Sequence, residues 1–169
     1  MPLLRSFGPL IGQHPKVLIL GSMPGVKSLQ DQQYYAHPRN AFWPIMAELF
    51  SIEWSESYAQ RVDQIRQLPV IIWDVLQSCH REGSLDSNIR PDQLQANAIP
   101  QLLLDYPTVS LIAFNGATSE KMFKQHVIHQ ISHPDRYTLL RLPSSSPAHA
   151  GKSFQQKLEE WSTIRQFCN

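Results

Sequence analysis

Apolar residues gather into four short, unbroken runs: Lys16-Val-Leu-Ile-Leu-Gly21, Leu68-Pro-Val-Ile-Ile-Trp73, Val109-Ser-Leu-Ile-Ala-Phe114 and Tyr137-Thr-Leu-Leu-Arg-Leu142. Each has the length of a strand and is rich in Val, Ile, Leu or aromatic residues. The lack of polar alternation predicts a sheet covered on both faces. Between the runs the spacing becomes helical. Phe42, Ile45, Met46 and Leu49 share one helical face. Asn40 suits the N-cap of that helix, and Pro44 is tolerated in its first turn. Tyr58, Val62 and Ile65 continue the period in a second helix. Residues 92–105 read as helical, with Pro100 starting a new turn or a second short helix. Residues 117–130 read as a helix after Gly116. Phe154, Leu158, Trp161, Ile164 and Arg165 mark a last one. Strands alternating with helices predict an α/β domain with a parallel sheet and helices on both faces. The polar stretch from Leu76 to Pro91 reads as a functional or covering loop. No repeat or linker interrupts the chain.

Composition narrows the class. A chain of 169 residues predicts one domain, residues 1–169. With 42% apolar and 17% charged residues it reads as an ordinary globular protein. Cys79 and Cys168 are too few for a disulfide framework or an iron–sulfur cluster. No apolar run approaches the roughly 18 residues of a membrane span. The start, Met1-Pro2-Leu3-Leu4-Arg5, lacks signal-peptide features, so the expected location is cytoplasmic.

Net charge is +1, which taken whole gives no nucleic-acid footprint. The distribution changes that picture. Residues 1–45 carry net +3, residues 46–135 net −5 and residues 136–169 net +3. If the two ends meet, they form a locally positive surface around Lys27, Arg39, Arg141 and Lys152.

In open α/β sheets the site lies beyond the carboxyl ends of the strands. The predicted strands end in Gly21-Ser22-Met23-Pro24-Gly25, in Asp74, in Asn115-Gly116 and in Pro143-Ser144-Ser145-Ser146-Pro147-Ala148-His149-Ala150. All four ends are small or polar. The first loop is neither a P-loop nor a dinucleotide fingerprint. It reads as a strand-exit turn or as a close-approach loop. Tyr34 to Trp43 gathers four aromatics, an Arg and an amide around a helix start. That segment fits a core patch or a pocket for a planar ligand.

These segments resemble a known family. Gly21-Ser-Met-Pro-Gly25 followed by Ala36-His-Pro-Arg-Asn-Ala-Phe-Trp43 is similar to the first motif of the uracil-DNA glycosylase superfamily. Leu142-Pro-Ser-Ser-Ser-Pro-Ala-His149 is similar to its second. Trp73-Asp-Val-Leu and Ser84-Leu-Asp-Ser-Asn-Ile89 resemble the hypoxanthine-DNA (deoxyinosine) glycosylase branch. The resemblance implies a three-layer αβα sandwich around a four-stranded parallel sheet. It implies a DNA substrate, hydrolysis of an N-glycosidic bond, and no metal or cofactor. Mismatch-specific branches carry a catalytic Asn where this chain has Met23. The matching amide of the hypoxanthine branch is Asn40.

The roles implied are these. Asn40 orients the attacking water, and Asn115 assists with base or water. Gly21, Ser22, Met23, Phe42 and Asp74 surround the base, with Phe42 as the stacking ring. Lys27, Arg39, Ser144, Ser145, Ser146, Pro147, His149 and Lys152 face the DNA, with the helix starting near Lys152 presenting its N-terminus to phosphate. Asp74 reads equally as a general base or a cap. His37 and His149 read as donors or as ordinary loop residues. His126, His129 and His133 have metal-like spacing, but Pro134 interrupts the helix. Rival readings are a uracil or mismatch glycosylase, a non-catalytic nucleotide-binding module and a metal hydrolase. The expected working form is a monomer without membrane association.

Overall fold

The computed structural model describes residues 2–169. The chain runs β1 (Leu4–Arg5), β2 (Leu10–Ile11), β3 (Val17–Gly21), α1 (Val26–Asp31), α2 (Phe42–Phe50), α3 (Tyr58–Ile65), β4 (Val70–Asp74) and β5 (Leu76–Cys79). It continues with β6 (Gln95–Ala96), α4 (Ile99–Asp105), β7 (Leu111–Asn115), α5 (Ala117–His126), β8 (Thr138–Leu142) and α6 (Phe154–Trp161). The central sheet has the order β2-β4-β3-β7-β8. Every residue of β3, β4 and β7 is buried, as their unbroken apolar sequences require.

Alternate residues of these strands feed two cores. Val17, Ile19, Val70, Ile72, Leu111 and Ala113 pack with Phe42, Ile45, Met46, Ile65 and Trp161, so α2, α3 and α6 cover one face. Leu18, Leu20, Ile71, Trp73, Ile112 and Phe114 pack with Ile99, Leu102, Leu103 and Phe123, so α4 and α5 cover the other. The result is a three-layer α/β arrangement. No helix is long and apolar enough to cross a membrane among the described residues.

Several details differ from the sequence expectation. The sheet has five strands rather than four. Four are parallel, and β2 adds an antiparallel edge, with Leu10 opposite Ile72 and Ile11 opposite Ile71. Two residues are too short to show a pattern. Leu76 to Pro91 is not simply a loop, because β5 opens it and joins β1 and β6 in a small antiparallel sheet. The expected helix over 92–105 is confined to α4, because Ala96 pairs with Leu76 instead. Pro100 sits in the first turn of α4, where its missing N–H costs nothing. Helix α5 ends at His126, ahead of a 3-10 turn at Ile128–Gln130. Ala41, not Asn40, is the N-cap of α2; Asn40 Oδ1 accepts the Phe42 N–H from one residue further back.

The parallel order places β4 to one side of β3, and β7 and β8 to the other. The chain therefore reverses direction across the sheet between β3 and β7. That switch point is where α/β sheets open a crevice at their carboxyl ends.

Candidate active site at the carboxyl ends of the strands

A cavity of about 400 Å³ opens at this switch point. Its walls include Gly21 to Ser28, Tyr34, Tyr35, His37, Asn40, Asp74, Ser84 to Ser87, Asn115 to Thr118 and Ser144 to His149. All four strand ends that the sequence singled out thus converge on one space.

Gly21 ends β3 beside Asp74, the last residue of β4. A Cβ on Gly21 would lie 2.4 Å from Asp74 Oδ1 and 3.0 Å from the Tyr35 hydroxyl. Glycine here makes room for a carboxyl and a phenol at the bottom of the crevice. Asp74 is 3% exposed, and its Oδ2 has no hydrogen-bond partner. Burial, then the Asp86 carboxylate, push its pKa up to about 7, and the Arg81 cation opposes them. The Tyr35 hydroxyl is buried beside Asn115 without a well-aligned hydrogen bond; burial raises its pKa, and the Asn115 amide opposes the rise. Unsatisfied buried polar atoms are uncommon, and Asp74 Oδ2 is one at the floor of this cavity.

Tyr35 corrects the expectation for Phe42. The Phe42 ring is fully buried and does not line the cavity. Tyr35 does, stacked on Phe42 with ring centroids 4.1 Å apart. The left-handed backbone at Tyr35, φ 53°, turns the chain there. Phe42 backs the aromatic wall rather than forming it. The aromatic cluster was visible in the sequence, but not which ring faced the cavity.

Asn40 lines the cavity with its amide held by the Phe42 N–H at 2.9 Å. No partner takes its amide hydrogens among the described residues. Asn115 is committed differently. Its Oδ1 accepts the Ser145 N–H at 2.8 Å and its Nδ2 donates to Ser145 Oγ at 2.9 Å. The Ser145 carbonyl accepts the Ala41 N–H at 2.9 Å. Ser145 is 1% exposed and ties β7, the helix α2 entrance and the 144–149 loop together. Ser144 to His149 all lie on the cavity wall. Gly116, φ 97°, lets Ser144 approach, since a Cβ there would meet Ser144 Cβ at 3.1 Å.

Ser22 and Met23 also line the cavity. The Ser22 hydroxyl donates to Asp86 Oδ1 at 2.7 Å, and Met23 is rooted in the core beneath. Arg81 is buried and binds the Gly83 carbonyl and the Pro24 carbonyl, each at 2.7 Å. These bonds draw residues 81–87 against the loop that follows β3. His37 accepts the Arg39 N–H through Nδ1 at 3.1 Å and lines the cavity.

The expected cations are largely paired. Lys27 faces Asp31 at 3.3 Å, and Arg141 faces Glu120 at 2.8 Å. Lys152 pairs with Glu160. Arg39 has no ion-pair partner among the described residues. The α6 N-terminus carries a capping box, in which Ser153 Oγ accepts the Gln156 N–H and Gln156 Oε1 accepts the Ser153 N–H. Sequence reasoning passed over Lys157, a buried residue of α6 whose ammonium points at the Ser146 carbonyl at 3.4 Å. No three potential metal ligands cluster among the described residues.

The fold and the convergent cavity define an α/β protein with a crevice at the switch point of its sheet. Residues 9–165 match the family model of the Uracil DNA glycosylase superfamily, and the chain belongs to that superfamily. Within it, the chain is 30% identical to a hypoxanthine DNA glycosylase of Methanosarcina acetivorans over 162 residues, 95% of this chain and 96% of that one. It is 32% identical to a protein of the same name from Methanosarcina barkeri over 116 residues, 68% of this chain and 72% of that one. A solution NMR structure of a candidate uracil DNA glycosylase from Methanosarcina acetivorans superposes with a TM-score of 0.78 at 28% identity, covering 96% of each chain.

Proposed function

We propose that the protein is a monofunctional DNA glycosylase of base excision repair. It hydrolyses the N-glycosidic bond of a deaminated base, hypoxanthine first, without a cofactor. The observation that carries this is the switch-point cavity, where Asn40 and the unpartnered Asp74 carboxyl line one space large enough for a purine. The similarity to proteins named hypoxanthine DNA glycosylase along most of the chain supports the choice of base.

The target nucleotide leaves the duplex and enters the cavity, at a cost of a few kcal/mol that is smaller for a poorly paired base. Ser144, Ser146, Arg39, Lys27 and His149 meet the DNA backbone, and Pro147 borders the gap. Ser145 and Asn115 hold that loop in shape, and Lys157 supports it from beneath. The base stacks on Tyr35, backed by Phe42, with Gly21, Ser22 and Met23 beside it.

As the C1′–N9 bond breaks, positive charge grows on the sugar and negative charge on the base. Asn40, fixed by the Phe42 N–H, orients the attacking water. An amide is a weak base, but the oxocarbenium-like sugar needs placement more than deprotonation. Neutral Asp74 donates a hydrogen bond to the leaving base and stabilises its charge.

The test measures free hypoxanthine, uracil and xanthine released from matched duplexes by the purified protein in chelator. Hypoxanthine released fastest supports the reading. Uracil released fastest makes the protein a uracil or mismatch glycosylase. No base released, with nucleotide binding retained, makes it a non-catalytic module.

A further inference from the structure

Hypoxanthine differs from adenine along one edge. Adenine carries an amino donor and a bare N1 there, whereas hypoxanthine carries the O6 acceptor and an N1–H donor. A pocket that tells them apart needs a donor and an acceptor in fixed places, because a site built for one pattern is left unpaired by the other.

Two carboxyl groups on the cavity wall form such a pair. Asp74 ends β4, is 3% exposed, and its Oδ2 has no partner. Burial pushes its pKa up to about 7, so it holds a proton to donate. Asp86 opens a 3-10 turn, Asp86–Asn88, and is half-buried on the same cavity. Its Oδ1 accepts the Ser22 hydroxyl at 2.7 Å. That bond uses the only hydroxyl hydrogen of Ser22 and fixes the direction of the carboxylate. Arg81 does not pair with it, because Arg81 bonds the Gly83 and Pro24 carbonyls. Asp86 Oδ2 accepts no hydrogen bond among the described residues. Bracing the segment does not require this charge. Ser84 Oγ already accepts the Val26 N–H at 2.8 Å, and Arg81 already fastens Pro24. A half-buried carboxylate with one oxygen unspent is costly until a donor arrives.

We propose that Asp86 is the residue by which the cavity tells hypoxanthine from adenine: its carboxylate accepts the N1–H while the Asp74 carboxyl donates to O6. This rests on the glycosylase reading above and names the contact that selects its base. Adenine meets the same pair with its polarity reversed, O–H against N–H and carboxylate against the N1 lone pair. Guanine shares the hypoxanthine edge, so the pair separates hypoxanthine from adenine and not from guanine.

The experiment uses single-stranded oligonucleotides, in which base pairing plays no part. They carry hypoxanthine or 1-deazahypoxanthine, an analogue with C–H in place of N1–H. Wild type, Asp86→Ala and Asp86→Asn are compared at about pH 5.5, where Asp74 keeps its proton. The quantity read is the ratio of release rates, hypoxanthine over analogue. Comparing that ratio between proteins cancels the intrinsic lability of the analogue. From wild type to Asp86→Ala the ratio falls about 30-fold, the size of one hydrogen bond to a charged group. Asp86→Asn, which keeps the shape and a neutral acceptor, recovers most of it. A ratio in Asp86→Ala equal to wild type overturns the proposal; an equal loss on both bases then marks Asp86 as a brace for the 81–87 segment. Wild type that releases both bases equally overturns it without any variant. If wild type releases neither base, the glycosylase reading fails instead. The ratio of affinities for the same two oligonucleotides, read by fluorescence anisotropy, then decides Asp86.

Discussion

Asn40 carries two duties that a single substitution separates. Its Oδ1 satisfies the Phe42 N–H at the start of α2, and its remaining amide faces the cavity. Losing such a bond at a helix start costs about 1 kcal/mol, or roughly 2–4 °C in a chain of this size. Losing the group that orients water costs on the order of 100-fold in rate. Asn40→Ala should therefore melt only slightly lower by calorimetry while base release nearly stops; activity near wild type would remove Asn40 from the chemistry. Asp74 makes a separate prediction. Its carboxyl is raised from 3.8 to about 7, chiefly by burial. The folded state thus binds more protons than the unfolded chain between those values, so stability falls as pH rises through that window. At about 1.4 kcal/mol per pKa unit, the full drop is on the order of 4 kcal/mol. Asp74→Asn should lack that decline in denaturant titrations from pH 4 to 8. Base release by wild type should also fall as pH rises through about 7, because ionised Asp74 cannot donate to the leaving base. A profile flat across pH 7 in the wild type would assign Asp74 to structure alone.

The elements divide by how far their pairing reaches. β3, β4 and β7 were legible because burial on both faces writes itself as an unbroken apolar run, and the edge strand β8 through its three leucines although it is only partly buried. Their ends delivered Gly21, Asp74 and Asn115 to one place, as the switch-point rule requires. β1, β2 and β6 are two residues each and exist through distant partners, such as Leu10 with Ile72, so no local pattern announces them. α1 buries only Ser28 and shows no apolar stripe. Three consecutive serines look alike in sequence, and only the fold shows that all three line the cavity and that Ser145 alone is bonded to Asn115. The 81–87 segment is the element where geometry adds most. Arg81 fastens it to Pro24 and also opposes the rise in the Asp74 pKa. Arg81→Met should loosen the segment, seen as faster hydrogen exchange over residues 81–87. It should also shift the alkaline fall in activity to higher pH, because the cation that favours ionised Asp74 is gone. A pH profile unmoved by Arg81→Met would separate the two groups.

At the scale of the whole molecule, the question is how a chain of net charge +1 holds DNA. The two basic ends do meet. Phe42 packs against Trp161, and the Ala41 N–H donates to the Ser145 carbonyl. Meeting does not make the surface strongly positive, because Lys27, Arg141 and Lys152 each face a carboxylate. Exposed pairs of this kind add little stability, yet they cancel field where phosphate would sit. Asp74 and Asp86 line the cavity as well, and a neutral Asp74 lowers that negative charge. The grip on DNA must then rest on neutral donors such as the 144–149 loop and on few free cations. Each phosphate neutralised contributes about −0.9 to the slope of log K against log salt, so binding should show a shallow slope. Arg39, exposed on the α2 entrance loop and unpaired among the described residues, should supply about one unit of it. Arg39→Gln should flatten the slope by roughly that amount, whereas Lys152→Gln should change it less, because its loss also frees Glu160. Fluorescence anisotropy of a labelled duplex from low to moderate salt decides the matter. Equal changes from both variants would mean that the Lys152–Glu160 pair opens on DNA, and that the bound surface is more basic than the free one.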